Sequence, residues 1–155
     1  MTNEYPAARA WLSRAGNLSD EIKRKKARIE NLRDAGNNTT VQISDMPRNP
    51  SPNNHRMEDL VAKIIDLESE VQESECRLDE LRAEMVMCLN EWLDPEQAML
   101  LSRRYADLIS WDTLADDLNC TTRRLYQIHR NALGQLEERL KIDVDTSAHY
   151  VDGLG

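Results

Sequence analysis

Arg123, Gln127 and Arg130 are side chains whose types and spacing suit the edge of a base pair and its flanking phosphates. Arginine presents two parallel N–H donors that match a guanine edge or a phosphate, and glutamine matches adenine. On a helix, Thr122, Arg123, Gln127 and Arg130 share one outward face, with Tyr126 on its edge, while Leu125, Ile128, Ala132 and Leu136 form the apolar stripe opposite. Any amphipathic helix has a solvated polar face, but here all three formal charges between Thr121 and Leu136 are positive, in a chain of net charge -8. That uniform sign favours double-stranded DNA as the partner. The expected contact set is Thr122, Arg123, Arg124, Tyr126, Gln127 and Arg130. Arg123 and Gln127 are placed to reach base edges, and Arg124 and Arg130 to meet phosphate.

Such a face needs a scaffold that presents the first turn of its helix. Residues 110–133, SWDTLADDLNCTTRRLYQIHRNAL, supply one. Ser110 is placed to cap a first helix, whose apolar stripe is Trp111, Leu114, Ala115 and Leu118. Asn119 follows, a residue type that tolerates the left-handed conformation ending a helix. Thr121 is placed to cap the second helix. Ala115 sits where two crossing helices need a small side chain. Helix, tight turn and capped second helix form a helix-turn-helix pattern.

The run RRLYQIHRNALGQL at 123–136 resembles the second half of region 4 of sigma-70-type transcription factors, and RRYADLISWDTLADDLNCT at 103–121 is similar to the portion before it. With the long helices described next, the chain resembles small phage and prophage regulators that join a helical hairpin to such a domain. Some of those relatives activate phage late genes. The resemblance is specific over 95–140 and looser over 6–92. It implies a transcription regulator that acts with host RNA polymerase. The family's turn glycine is Asn119 here, and its acidic residue within the first helix is Thr113. Of its recognition positions, which fall on Thr122, Arg123 and Gln127, only Gln127 keeps the sigma residue type, so the sigma promoter sequence is not implied.

Upstream, the spacing predicts two long helices. Over 6–35, Trp11, Ala15, Leu18, Ile22, Ile29 and Leu32 follow a heptad seam broken at Lys25, with Gly36 as the stop. Over 57–92, Leu60, Ile64, Leu67, Val71, Leu78, Leu81, Met85, Cys88 and Trp92 continue the alternation, broken at Ser74. The first segment holds eight basic residues against four acids, while 57–94 holds twelve acids against three basic residues. Opposite charge beside matching seams predicts an antiparallel coiled-coil hairpin over 6–92. Two separate helices that each bind another chain satisfy the same pattern. Pairing with the acidic helix is the favoured role of the basic run at 23–26, ahead of contact with phosphate. The apolar run at 85–89 predicts that the end of the hairpin docks on the C-terminal domain.

Residues 36–56, rich in Asn, Pro and Ser, read as a flexible loop, and 142–155 as a disordered tail. Asp94-Pro95-Glu96-Gln97 reads as a helix start with Asp94 as cap, leading into a helix over 95–107 with Met99, Leu100 and Tyr105 in its core. Arg103 and Arg104 face either phosphate or solvent. The expected fold is therefore all-α: a long antiparallel hairpin at 6–92, a sigma region 4-like helix-turn-helix domain at 94–141, and the tail.

Composition narrows the function classes. With 5% aromatic residues, no Phe and 31% charged residues, the chain suits long helices and not a β-sandwich or barrel. Three cysteines without a CxxC pair or a His cluster suggest neither metal site nor disulfide framework, and the sequence points to no cofactor. No signal-peptide core, membrane span, phosphate loop or nucleophile with an evident base is present, so a soluble, cytoplasmic, non-enzymatic protein of a bacterial host cell is expected. The leading expectation is a sequence-specific DNA-binding transcription regulator of phage or prophage type, with homodimerisation through the hairpin as a further expectation. A small DNA-packaging subunit of terminase type and a polymerase-binding adaptor that does not read DNA are the alternatives.

Overall fold

The computed structural model describes residues 4–44 and 50–153, with side-chain surroundings for 4–37 and 55–143. Every regular element among them is helical: α1 (Pro6–Leu12), α2 (Arg14–Ser44), α3 (Pro50–Trp92), α4 (Pro95–Leu101), a π-helical turn (Ser102–Ala106), α5 (Trp111–Leu118) and α6 (Thr122–Gly153). The all-α class expected from composition is what the chain adopts. No helix among the described residues is long and apolar enough to cross a membrane. The chain divides into two compact units, one of Leu18–Asp79 and one of Met1–Asn17 with Glu80–Gly155.

The first unit is the middle of α2 beside the middle of α3. Leu18, Ile22, Ile29, Val71 and Leu78 of the heptad seam are buried. Lys26 meets Glu75 at 2.9 Å, Arg33 meets Glu68, and Gly36 lies against Leu60, so the two helices run in opposite directions. Both breaks in the seam have a local solution. Lys25 turns its ammonium to Glu21 at 3.2 Å and Glu70 at 3.6 Å. Ser74 is small enough to be buried at 4% exposure. Exposed ion pairs contribute about 0–1 kcal/mol each, so the apolar seam stabilises this pairing and the charges select its direction.

Gly36 does not stop the helix. It falls seven residues after Ile29 and fourteen after Ile22, on the seam itself, and a Cβ there would meet Leu60 Cδ2 at 2.8 Å. Its missing side chain makes room for a leucine from the opposite helix, and α2 runs on to Ser44. This departs from the loop predicted over 36–56. Residues 36–44 and 50–56 are helical, and 45–49 lie outside the described residues. The predicted tail differs too, because α6 continues through Gly134 to Gly153. Once a helix is nucleated, each added residue gains a hydrogen bond, and residues 142–152 hold no proline or glycine to interrupt it.

In the second unit, α1 docks on α6 through a buried carboxylate. Tyr5, at the N-cap position of α1, has left-handed backbone (φ 59°) and makes no capping bond with its side chain. Glu137 of α6 takes that role, accepting from the backbone N–H of Ala8 at 2.6 Å and of Ala7 at 3.3 Å, and it is only 6% exposed. The Tyr5 ring lies against Gly134, one turn earlier on α6. The one helix predicted over 6–35 is interrupted at Ser13, between α1 and α2. Residues 80–92 of α3 belong to this unit, and Trp92 packs on Trp11 with ring centroids 5.6 Å apart, flanked by the Arg14 and Arg139 guanidinium groups. Within the apolar run at 85–89, Met85 and Leu89 are fully buried, but Met87 is 72% exposed and the run is not covered on all sides.

Candidate functional site

The segment from α4 to α6 builds the face predicted from residues 110–133. Ser110 caps α5, its Oγ accepting from Thr113 N at 3.3 Å. Asn119 ends α5 in the left-handed region (φ 51°, ψ 42°), and the Cys120 N–H closes the turn on Ala115 O at 3.1 Å. Thr121 caps α6, its Oγ1 accepting from Arg124 N at 3.1 Å. These are the three local devices read from the sequence, at the residues named for them. Leu114, Leu125 and Ile128 form a buried cluster with Leu100, against which Trp111, Ala115, Leu118, Ile109 and Cys120 pack.

That packing decides which way α6 faces. With Leu125, Ile128, Ala132 and Leu136 buried, Thr122, Arg123, Arg124, Tyr126, Gln127 and Arg130 are all exposed. Thr122, Arg123, Tyr126, Gln127 and Arg130 line one cleft, and Arg124 does not line it. Among the described residues, Arg123 has no ion-pair partner, whereas Arg124 Nη2 lies 3.8 Å from Glu96 Oε1 and Arg130 Nη2 lies 3.8 Å from Glu4 Oε2. Arg123, Tyr126, Gln127 and Arg130 line one side of a cleft of about 600 Å³, and Glu4, Tyr5 and Arg9 line the other.

Two expectations for the preceding helix need correction. The Asp94 side chain makes no capping bond, although its extended backbone starts α4 and its carbonyl accepts from Ala98 N at 2.8 Å. Met99 is 41% exposed; Ala98, Leu100 and Leu101 are the buried positions of α4, so its inward stripe runs one residue either side of Met99. The predicted helix over 95–107 widens into a π-helical turn from Ser102. Of its two arginines, Arg103 pairs with Asp117 of α5 at 2.8 Å. Arg104 donates to Ile109 O at 3.2 Å and lies over the Trp111 ring, 5.3 Å from its centroid. Both arginines therefore brace the α4–α5 connection.

Behind the exposed face lies an aromatic cluster that fixes the first turns of α6. Trp111 packs on Tyr126 at 5.0 Å and edge-on against His129 at 4.8 Å. Tyr105 Oη lies 2.7 Å from His129 Nε2. Burial, with smaller contributions from Arg9 and Arg104, lowers the His129 pKa to about 4. Burial also pushes the Tyr105 phenol up, against the pull of Arg104 and Arg9. At neutral pH a protonated phenol therefore shares this hydrogen bond with a neutral imidazole.

This cluster gives a pH dependence of known sign. The folded state disfavours the imidazolium, so the contribution of His129 to stability is present above the ordinary value of 6.5 and is lost as pH falls towards 4. Between pH 7 and pH 5 the protein is expected to lose about 1–2 kcal/mol, after allowance for partial exposure. Urea titrations at the two pH values measure it. The His129→Asn variant should show a flatter dependence; an equal loss in that variant would assign the effect to other groups.

The acids Glu4 and Glu96, and the α1 residue Arg9, carry no sign of this neighbourhood in the sequence. They lie 28–126 residues from the arginines and the glutamine they approach, and only the docking of α1 and α4 on α6 brings them there. Cys88 has its pKa raised, by burial first and then by Glu84 and Glu91.

Comparison with protein-family models, with curated proteins and with solved structures finds no match to this chain.

Proposed function

We propose that this protein is a sequence-specific DNA-binding transcription regulator of phage or prophage type, acting with host RNA polymerase. The observation that carries this reading is the exposed start of α6. Its cap at Thr121 holds the first turn through the Arg124 N–H, and Arg123 and Gln127 stand exposed on its outward side, after a left-handed turn that orients it against α5. A helix held in that way can enter the major groove by its first turns, which makes α5–α6 a helix-turn-helix with α6 as its reading helix. The residue pattern over 95–140, similar to sigma region 4, supports polymerase as the second partner.

In this reading α2 and α3 form a helical hairpin that joins two copies of the chain or meets polymerase, and the protein works in the cytoplasm of the bacterial host. Selection of bound sequences from a random pool of duplex DNA tests the reading directly. Enrichment of a defined site is the expected result. Failure to retain any duplex at low salt, where phosphate contacts are strongest, would sink it and move the adaptor reading to first place.

A further inference from the structure

Arg124 and Arg130, the two arginines of α6 assigned to phosphate, each face a carboxylate from a separate element. Glu96 comes from the first turn of α4 and Glu4 from the segment before α1, and both separations are 3.8 Å. Arg123, assigned to a base edge, has no such partner among the described residues. Glu4 is also held in place. Its carbonyl accepts from Arg9 Nε at 2.8 Å, and the following residues are fixed by the Tyr5 ring against Gly134 and by Glu137 on the amides of Ala7 and Ala8. It stands on the wall of the same cleft as Arg123, Tyr126, Gln127 and Arg130.

We infer that Glu4 and Glu96 are internal phosphate surrogates that hold down the general DNA affinity of the α6 face; this rests on the DNA-binding reading above. The carboxylates offset the charges of Arg130 and Arg124 in the free protein, and DNA phosphate must compete with them for those arginines. Every duplex meets that competition, cognate or not. A cognate site offsets it through base contacts with Arg123 and Gln127, and a random sequence has nothing with which to do so. The ratio of cognate to random affinity stays where the base readers set it, while affinity for random duplex is held down, as expected of a reader built into a chain of net charge -8.

The test is a double-mutant cycle read on cognate and scrambled duplex. Glu4→Gln removes the charge from an exposed side chain and leaves the fold intact. It is expected to tighten binding to cognate and scrambled DNA alike, about two- to fivefold, and to steepen the slope of log affinity against log salt by about one, because Arg130 then exchanges a mobile anion for phosphate. In an Arg130→Gln background the same change should give no gain. Glu96→Gln should behave in parallel, with its gain abolished by Arg124→Gln. An equal gain in the Arg130→Gln background would show repulsion through space and overturn the inference. So would unchanged affinity for Glu4→Gln in a protein that still binds its site. A parent protein that binds no duplex would instead sink the DNA-binding reading itself, and this inference with it.

Discussion

Replacement of Glu137 by alanine is expected to destabilise the protein by about 3 kcal/mol, a fall in melting temperature of roughly 6–12 °C. The carboxylate is 6% exposed and accepts two backbone N–H groups, at 2.6 and 3.3 Å, from the start of α1. Hydrogen bonds to a charged acceptor contribute about 1.5–3 kcal/mol each, and their loss leaves the buried Ala8 N–H and the part-buried Ala7 N–H without this partner. The N-terminus of α1 also carries the positive end of the helix dipole, which the carboxylate neutralises. Glu137→Gln keeps an acceptor oxygen and the volume but removes the charge, so its cost should be about half that of alanine. Thermal melts of both variants check the magnitude. Faster amide exchange at Ala7 and Ala8 in the alanine variant checks the cause. A Glu137→Ala protein that melts with the parent would show that α1 does not depend on this contact.

The contrast between Glu137 and Thr121 shows what the sequence discloses. Thr121, Ser110 and Asn119 act on amides and carbonyls within three to five residues, so residue type and position predict both the cap and the turn. The inward direction of Leu125 and Ile128 follows from helical period alone, and the outward direction of Arg123 and Gln127 follows from that. Glu137 acts on amides 129 and 130 residues away. In sequence it is one of two adjacent glutamates in a helix with a polar face, and nothing in its spacing distinguishes it from Glu138. The Glu4–Arg130 pair is hidden in the same way.

Gly36 departs from its sequence expectation for a related reason. Glycine stops a helix when only its own backbone counts, but here its lack of a side chain serves Leu60 across the interface. The seams were legible because burial repeats along each helix. The lengths of α2 and α6 were not, because a helix end without a strong breaker is decided by small propensities that packing overrides. Met99 belongs to the same class of error: periodicity placed the stripe of α4 correctly to within one residue, and one residue turns a side chain through 100°.

Arg123→Ala and Gln127→Ala are each expected to weaken binding to the preferred duplex by about 1–3 kcal/mol and to relax sequence preference at one position of the site. The two side chains are exposed and four residues apart, one turn of α6, so they reach neighbouring base pairs from the same approach. Arg123 is the α6 arginine with no ion-pair partner among the described residues, so both of its donors are open to a base edge. Arg130→Ala removes a phosphate contact and should weaken cognate and scrambled duplex alike, with a shallower salt dependence. The pattern across the variants matters more than any single loss. Base readers lower the ratio of cognate to scrambled affinity, and phosphate contacts leave that ratio in place. Titrations of each variant on both duplexes at two salt concentrations separate them, with helix content by circular dichroism showing that all remain folded. If Arg123→Ala and Gln127→Ala keep both the parent's affinity and its ratio, α6 does not read bases through this face. Its exposed arginines would then serve a protein partner.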